Sequence, residues 1–105
     1  MNTTSRNMNI PQATKVLSAL AQENRMKAFQ SIIEAGKDGI TAGEISKETS
    51  IAQNTMSFHL ANLENCGLVE SKKSGQFVIY KANFLTMESL FKYLLDNCFY
   101  SNDNK

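Results

Sequence analysis

Tryptophan is absent from the 105 residues, and proline and histidine occur once each. One histidine, His59, makes a poor start for a metal centre, because zinc sites usually take three or four protein ligands. Cysteine occurs only at Cys66 and Cys98. Without an export signal, such a pair is expected to be reduced thiols in a cytoplasm rather than a disulfide framework. Long apolar runs are also missing. The longest, Phe77-Val78-Ile79-Tyr80, falls far short of a membrane span, so no membrane association is expected. The opening Met1-Asn2-Thr3-Thr4-Ser5-Arg6-Asn7 has no apolar stretch behind its one charge and does not read as a secretory signal. Neither sign of charge dominates. Eleven basic against ten acidic residues leave a net charge of +1, which excludes a polycation and an acidic tail. No Gly-rich phosphate loop, Ser-His-Asp set or paired carboxylates stand out, so no enzyme is expected, and no resident metal or cofactor is assigned.

What is present is ordinary for one globular domain: 42% hydrophobic and 20% charged residues. Residues 1–9 and 101–105 are polar and aperiodic and are expected to be flexible tails around a domain at 10–100. A first helix is predicted near Pro11, with Ala13, Val16, Leu17 and Leu20 at helical spacing. A second carries Met26, Phe29, Ile32 and Ile33 and ends at Gly36. Thr41-Ala42-Gly43-Glu44 is a capping box for a short third helix ending near Thr49. After the link Ser50-Ile51-Ala52, a fourth helix places Met56, Leu60 and Leu63 on one face, and Gly67 closes it.

The period then changes from helical to alternating. Leu68 to Lys72 and Gln76 to Ala82 read as strands joined by Lys73-Ser74-Gly75. Asn83 caps a last helix carrying Phe84, Met87, Leu90, Phe91, Leu94, Leu95 and Cys98, an apolar face wider than a solitary surface helix needs. Four helices, a two-stranded β wing and a fifth helix make a mainly α protein with winged helix-turn-helix order.

Several segments resemble the ArsR/SmtB family of bacterial repressors: Glu44-Ile45-Ser46, then Ser50 through Leu60, then Leu63-Glu64 and Gly67-Leu68-Val69. Lys72 through Tyr80 is similar to that family's wing, and Ala19-Leu20-Ala21 followed by Asn24-Arg25 resembles its opening segment. The resemblance covers about residues 15–99. It implies a transcription regulator that binds double-stranded operator DNA with an inverted repeat, as a homodimeric repressor released by a ligand or thiol signal.

The fourth helix supports that reading on its own residues. With its apolar face inward, Gln53, Asn54, Ser57, Phe58 and Ala61 face outward, and no charge occurs from Gln53 to Asn62. Gln and Asn pair with adenine edges, Ser and Thr with bases or phosphates, and Phe58 suits a thymine methyl or packs on a neighbour. The candidate DNA contacts are Thr41, Gln53, Asn54, Thr55, Ser57, Phe58 and His59, with Lys72, Lys73 and Ser74 at the wing tip. His59 either braces the helix or touches phosphate. Lysine and glutamate balance over residues 41–83, so few phosphate contacts per subunit are expected, and a dimer is needed for affinity. A winged helix that binds another protein through its last helix is the competing reading. It has no need of Gln53, Asn54 and Ser57 together with two wing lysines.

The resemblance further implies a two-fold interface between first and last helices, here Val16, Leu17, Leu20, Leu90, Phe91, Leu94, Leu95 and Cys98. Family metal sites are not matched. The positions of a Cys-x-Cys pair hold Thr41 and Gly43, and a last-helix Asp and His site has no histidine here. The chain most resembles the arsenite-responsive branch, but Phe99 stands where a second cysteine would follow Cys98. Arsenite favours soft thiolate ligands. Arsenite binding or thiol oxidation at Cys98, or at Cys66, therefore stands beside the plainer reading of both as packing residues.

Overall fold

A computed structural model describes residues 8–100. The expected tails at 1–7 and 101–105 lie outside the described residues. Met8 and Asn9, assigned to the first tail, belong instead to the folded unit. Met8 packs against the core, and Asn9 caps the first helix.

That helix, α1, spans Ile10–Leu20 and opens on a reciprocal capping box. The Gln12 N–H donates to Asn9 Oδ1 at 2.9 Å, and the Asn9 N–H donates to Gln12 Oε1 at 3.0 Å. Its buried stripe is Ala13, Val16 and Ala19, while Leu17 is exposed and Leu20 half-buried. Small residues on the stripe let α1 approach its neighbours closely. The second helix, α2, spans Glu23–Ala35 and buries Ala28, Phe29 and Ile32. Met26 and Ile33, expected on the same face, are exposed.

A short 3-10 turn at Gly36–Asp38 leads to a two-residue strand, β1, at Ile40–Thr41. Gly39 is required here. Its φ is +76°, and a Cβ would collide with the Ile79 side chain and come within 2.9 Å of the Tyr80 carbonyl. The third helix, α3, spans Ala42–Thr49, and its capping box forms as read. Ser50 then takes a left-handed conformation, with φ of 62°, and turns the chain. Ile51 packs against the core inside the turn, and the fourth helix, α4, runs Gln53–Asn65.

α4 ends as its sequence indicates. Gly67 has φ of +86°; its N–H donates to the Glu64 carbonyl and the Leu68 N–H donates to the Leu63 carbonyl, both at 3.0 Å. Leu63 and Leu68 are fully buried, each contributing about 2 kcal/mol of transfer free energy.

The wing strands are β2, Val69–Ser74, and β3, Phe77–Ala82. Both are displaced from expectation. β2 continues through Ser74, and the link is Gly75-Gln76 rather than Lys73-Ser74-Gly75. The sheet also has a third member. β1 pairs antiparallel with β3, Ile40 opposite Tyr80 and Thr41 opposite Ile79, giving the order β1-β3-β2.

The last helix, α5, is α-helical over Phe84–Leu94 and continues as a π-helical turn over Leu95–Tyr100. Thr86 Oγ1 donates to the Gly67 carbonyl at 2.6 Å, and the Asn83 N–H donates to the Leu68 carbonyl at 2.8 Å. These bonds tie α5 to the corner between α4 and β2. The core joins all five helices to the sheet through Val16, Phe29, Ile45, Met56, Leu68, Val69 and Leu90.

Candidate nucleic-acid interface

α4 divides cleanly into two faces. Met56, His59, Leu60 and Leu63 are buried, whereas Gln53, Asn54, Thr55, Ser57, Phe58 and Ala61 are exposed. The exposed face is uncharged and rich in amides and hydroxyls. Ser57 Oγ donates to the Gln53 carbonyl at 3.2 Å, and the Thr55 N–H donates to Asn54 Oδ1 at 2.8 Å. The second bond turns the Asn54 oxygen to the helix end and leaves its amide nitrogen as the donor for a partner.

α3 meets the start of α4 at Gly43. A Cβ there would stand 3.2 Å from Gln53 Nε2 and 4.0 Å from Thr41 Oγ1. The missing side chain is what lets the Gln53 amide lie against α3.

Thr41, expected to touch DNA, is already committed. Its hydroxyl accepts from the Glu44 N–H at 3.2 Å and donates to Glu44 Oε1 at 3.1 Å. The Thr41 N–H donates to Glu44 Oε1 at 3.0 Å, and this bond, followed by that of the hydroxyl to the same oxygen, lowers the Glu44 pKa, so a carboxylate sits against Thr41. Thr41 is a helix cap.

His59 requires a second correction. It is only 4% exposed, so it cannot reach DNA. Arg25 Nε donates to its Nδ1 over a long 3.5 Å, and its buried Nε2 has no partner among the described residues. Burial, then the nearby Arg25 charge, lowers its pKa, so the ring is neutral. Its role is to brace α4 against α2.

Arg25 is the residue that site reasoning missed. Its guanidinium lies 5.8 Å from the centre of the Phe58 ring, and Nη1 reaches the Ala19 carbonyl at 3.5 Å. It thus joins the end of α1 and the start of α2 to the middle of α4 and sets a cation beside the exposed face. The signal was the spacing from Ala19-Leu20-Ala21 to Arg25, which was read as family likeness alone. Phe58 packs on Arg25 and is still 62% exposed.

On the wing, Lys72 lies opposite Ile79, Lys73 opposite Val78 and Ser74 opposite Phe77. Neither lysine is at the tip. Adjacent strand residues point to opposite faces, so Lys72 and Lys73 do not act as one pair. The tip carries Gly75, Gln76 and an exposed Phe77.

The residues expected at a two-fold interface separate in the same way. Val16 and Leu90 are buried in the chain's own core and cannot form an interface. Leu20 and Leu94 are half-buried and pack on that core. Leu17, Phe91 and Leu95 are exposed, as are Ile10, Phe84 and Leu85 on the same two helices. Cys98 is exposed, and Cys66 is half-buried at the end of α4. Burial raises the Cys66 pKa, and its thiol donates to the Leu63 carbonyl at 3.3 Å. No group of three His, Cys, Asp or Glu suited to a metal ion occurs among the described residues.

A helix-turn-helix whose second helix presents an uncharged polar face, flanked by an antiparallel hairpin, defines a winged helix-turn-helix protein. Residues 20–72 match the helix-turn-helix domain family, and the chain belongs to it. The transcriptional activator HlyU of Vibrio cholerae is 28% identical over 94 residues, covering 90% of this chain and 84% of that protein. An ArsR-like transcriptional regulator from Rhodococcus sp. RHA1 superposes with a TM-score of 0.79 at 22% identity, covering 90% of this chain and 86% of that one. The homodimeric winged helix-turn-helix DNA-binding domain of Mb0332 from Mycobacterium bovis superposes with a TM-score of 0.67 at 21% identity, covering 84% and 81%.

Proposed function

We propose that this protein is a homodimeric transcriptional regulator that binds double-stranded operator DNA at an inverted repeat. The observation that carries this reading is the exposed face of α4, uncharged from Gln53 to Asn62 and dense in amides and hydroxyls. An idle solvent face of a helix normally carries Lys and Glu. This one matches base edges instead.

Set in a major groove, Gln53 and Asn54 pair with adenines, Thr55 and Ser57 reach bases or phosphate, and Phe58 covers a thymine methyl. Arg25 supplies the nearest cation. From the wing, Lys72 and Ser74 on one face and Lys73 on the other each offer a separate contact to phosphate. Thr41 and His59 take no part.

Leu17, Phe91 and Leu95 form the two-fold face, continuous with the exposed Phe84 on α5. Two recognition helices then meet half-sites about 34 Å apart, one helical turn of DNA. Occupying an operator that overlaps a promoter is enough to repress, and a ligand or thiol signal ends the occupancy. Of the two thiols, Cys98 is exposed, whereas burial keeps Cys66 protonated.

Footprinting on the protein's own upstream DNA tests this. Two symmetric protected half-sites about one turn apart are expected. Phe91→Glu is expected to yield monomers by sedimentation and to lose the symmetric footprint. Uniform protection, or a symmetric footprint from a monomeric variant, overturns the reading.

A further inference from the structure

A cleft of about 450 Å³ lies between α1, the C-terminal end of α4 and the start of α5, away from the outward face of α4. Its volume falls within the range of small-molecule sites. One wall holds Ser89, which is 4% exposed and whose Oγ has no hydrogen-bond partner among the described residues. Buried hydroxyls almost always have a partner, so an orphaned one on a residue that lines a cleft marks a place for a ligand atom. Ser46 and His59 also hold unpartnered buried atoms, but neither lines this cleft.

Lys15 lines the same cleft from α1. Among the described residues it belongs to neither ion pair, those being Lys27–Glu23 and Lys92–Asp96. Glu64, the one carboxylate of the lining, accepts a hydrogen bond from Ser71 Oγ at 2.8 Å on the wing side. Met8, Val16 and Leu85 supply apolar wall, and the protonated Cys66 thiol adds a neutral one.

We propose that this cleft binds a small organic acid, its carboxylate taken by Lys15 and the Ser89 hydroxyl and its short aliphatic chain by Met8, Val16 and Leu85. An anion answers both the lysine and the orphaned hydroxyl, which donates to it; an apolar chain suits the rest. The occupant touches the end of α4 and both helices that carry the exposed apolar face. Binding stands independently of the DNA reading, and its test contains no DNA.

Cys66 serves as the reporter. In the full-length Cys98→Ser protein, Cys66 is the only thiol, and its alkylation by iodoacetamide is followed with straight-chain carboxylates from acetate to octanoate, and with the matching amides. At ten times the dissociation constant of a bound acid, alkylation slows about tenfold. Protection is expected to peak at an intermediate chain length and to be absent with the amides. Lys15→Gln and Ser89→Ala are each expected to raise the concentration for half-protection about fivefold or more, through the lost charged hydrogen bond. Ser89→Ala is expected to leave urea stability unchanged or higher, because Ser89 Oγ has no hydrogen bond among the described residues to lose. Absence of protection by every acid, equal protection by the amides, or protection undiminished in both variants overturns the proposal.

Discussion

Gly43→Ala separates stability from DNA recognition in a single methyl group. Gly43 is the second residue of α3 and has no positive φ, so alanine fits the backbone. In a helix, alanine is better than glycine by up to about 1 kcal/mol, partly through the unfolded state. The added Cβ stands 3.2 Å from Gln53 Nε2, the far end of an exposed and flexible side chain. Gln53 gives way by a few tenths of an ångström at little folding cost. Stability is therefore expected to rise by about 0.5–1 kcal/mol, read as a higher urea midpoint at unchanged slope. Affinity moves the other way. A well-placed amide pairing with adenine is worth about 1–3 kcal/mol of discrimination, and a dimer uses it twice. Displacing Gln53 in both protomers is expected to weaken promoter binding at least tenfold while binding to scrambled DNA barely changes. Fluorescence anisotropy on both duplexes, beside a urea titration, reads the two effects. A stabilised Gly43→Ala protein with wild-type promoter affinity would refute the placement of Gln53 at the interface.

Other consequences follow from the same geometry. Arg25→Gln removes the cation over Phe58 and the bonds to His59 and Ala19, and is expected to cost about 1–2 kcal/mol in urea unfolding. His59 is held neutral, with its folded pKa below the unfolded value near 6.5. Its contribution is thus complete above about pH 6.5, and stability is expected to fall with pH below that, because the unfolded chain binds the extra proton. A His59→Gln protein should lose that pH slope in urea titrations between neutral and mildly acid pH. Leu60→Ala, at a position 1% exposed, is expected to lose about 2–5 kcal/mol and to lower the thermal midpoint accordingly. Mass-resolved alkylation at mildly alkaline pH is expected to modify Cys98 well before Cys66, since Cys98 is exposed and burial raises the Cys66 pKa.

Local chemistry was the most legible part of the sequence. Thr41 and Glu44 announce the start of α3, and Gly67-Leu68 the end of α4, because both motifs satisfy backbone groups within a few residues. The change of period after Gly67 placed the wing. Other features were hidden for physical reasons. β1 has two residues, too few to show any period, and exists only because Gly39 lets Ile40 reach β3. Choosing Gly75-Gln76 over Lys73-Ser74-Gly75 as the link lengthens β2 and moves both lysines off the tip. Turn residues alone do not fix that register, because either link contains Gly75.

Which of two adjacent apolar residues faces inward depends on what the helix packs against. Val16 rather than Leu17, and Leu90 rather than Phe91, meet the core, a distinction that composition does not carry. His59 lies three residues from Met56 on the apolar face of α4, a spacing that already placed it inward. Its polarity argued the other way, and Arg25, which brings it a donor, lies 34 residues earlier in the chain.

The most direct test is fluorescence anisotropy of the reduced protein on its own upstream promoter duplex against a scrambled duplex, with wild type and a Gln53→Ala, Asn54→Ala double variant. Both substituted side chains are exposed, so folding is expected to survive. The expected result is tight, promoter-specific binding by wild type, and a double variant that binds both duplexes equally at the scrambled-duplex affinity. Equal wild-type binding to both duplexes, or undiminished promoter preference in the double variant, would contradict sequence recognition by the outward face of α4.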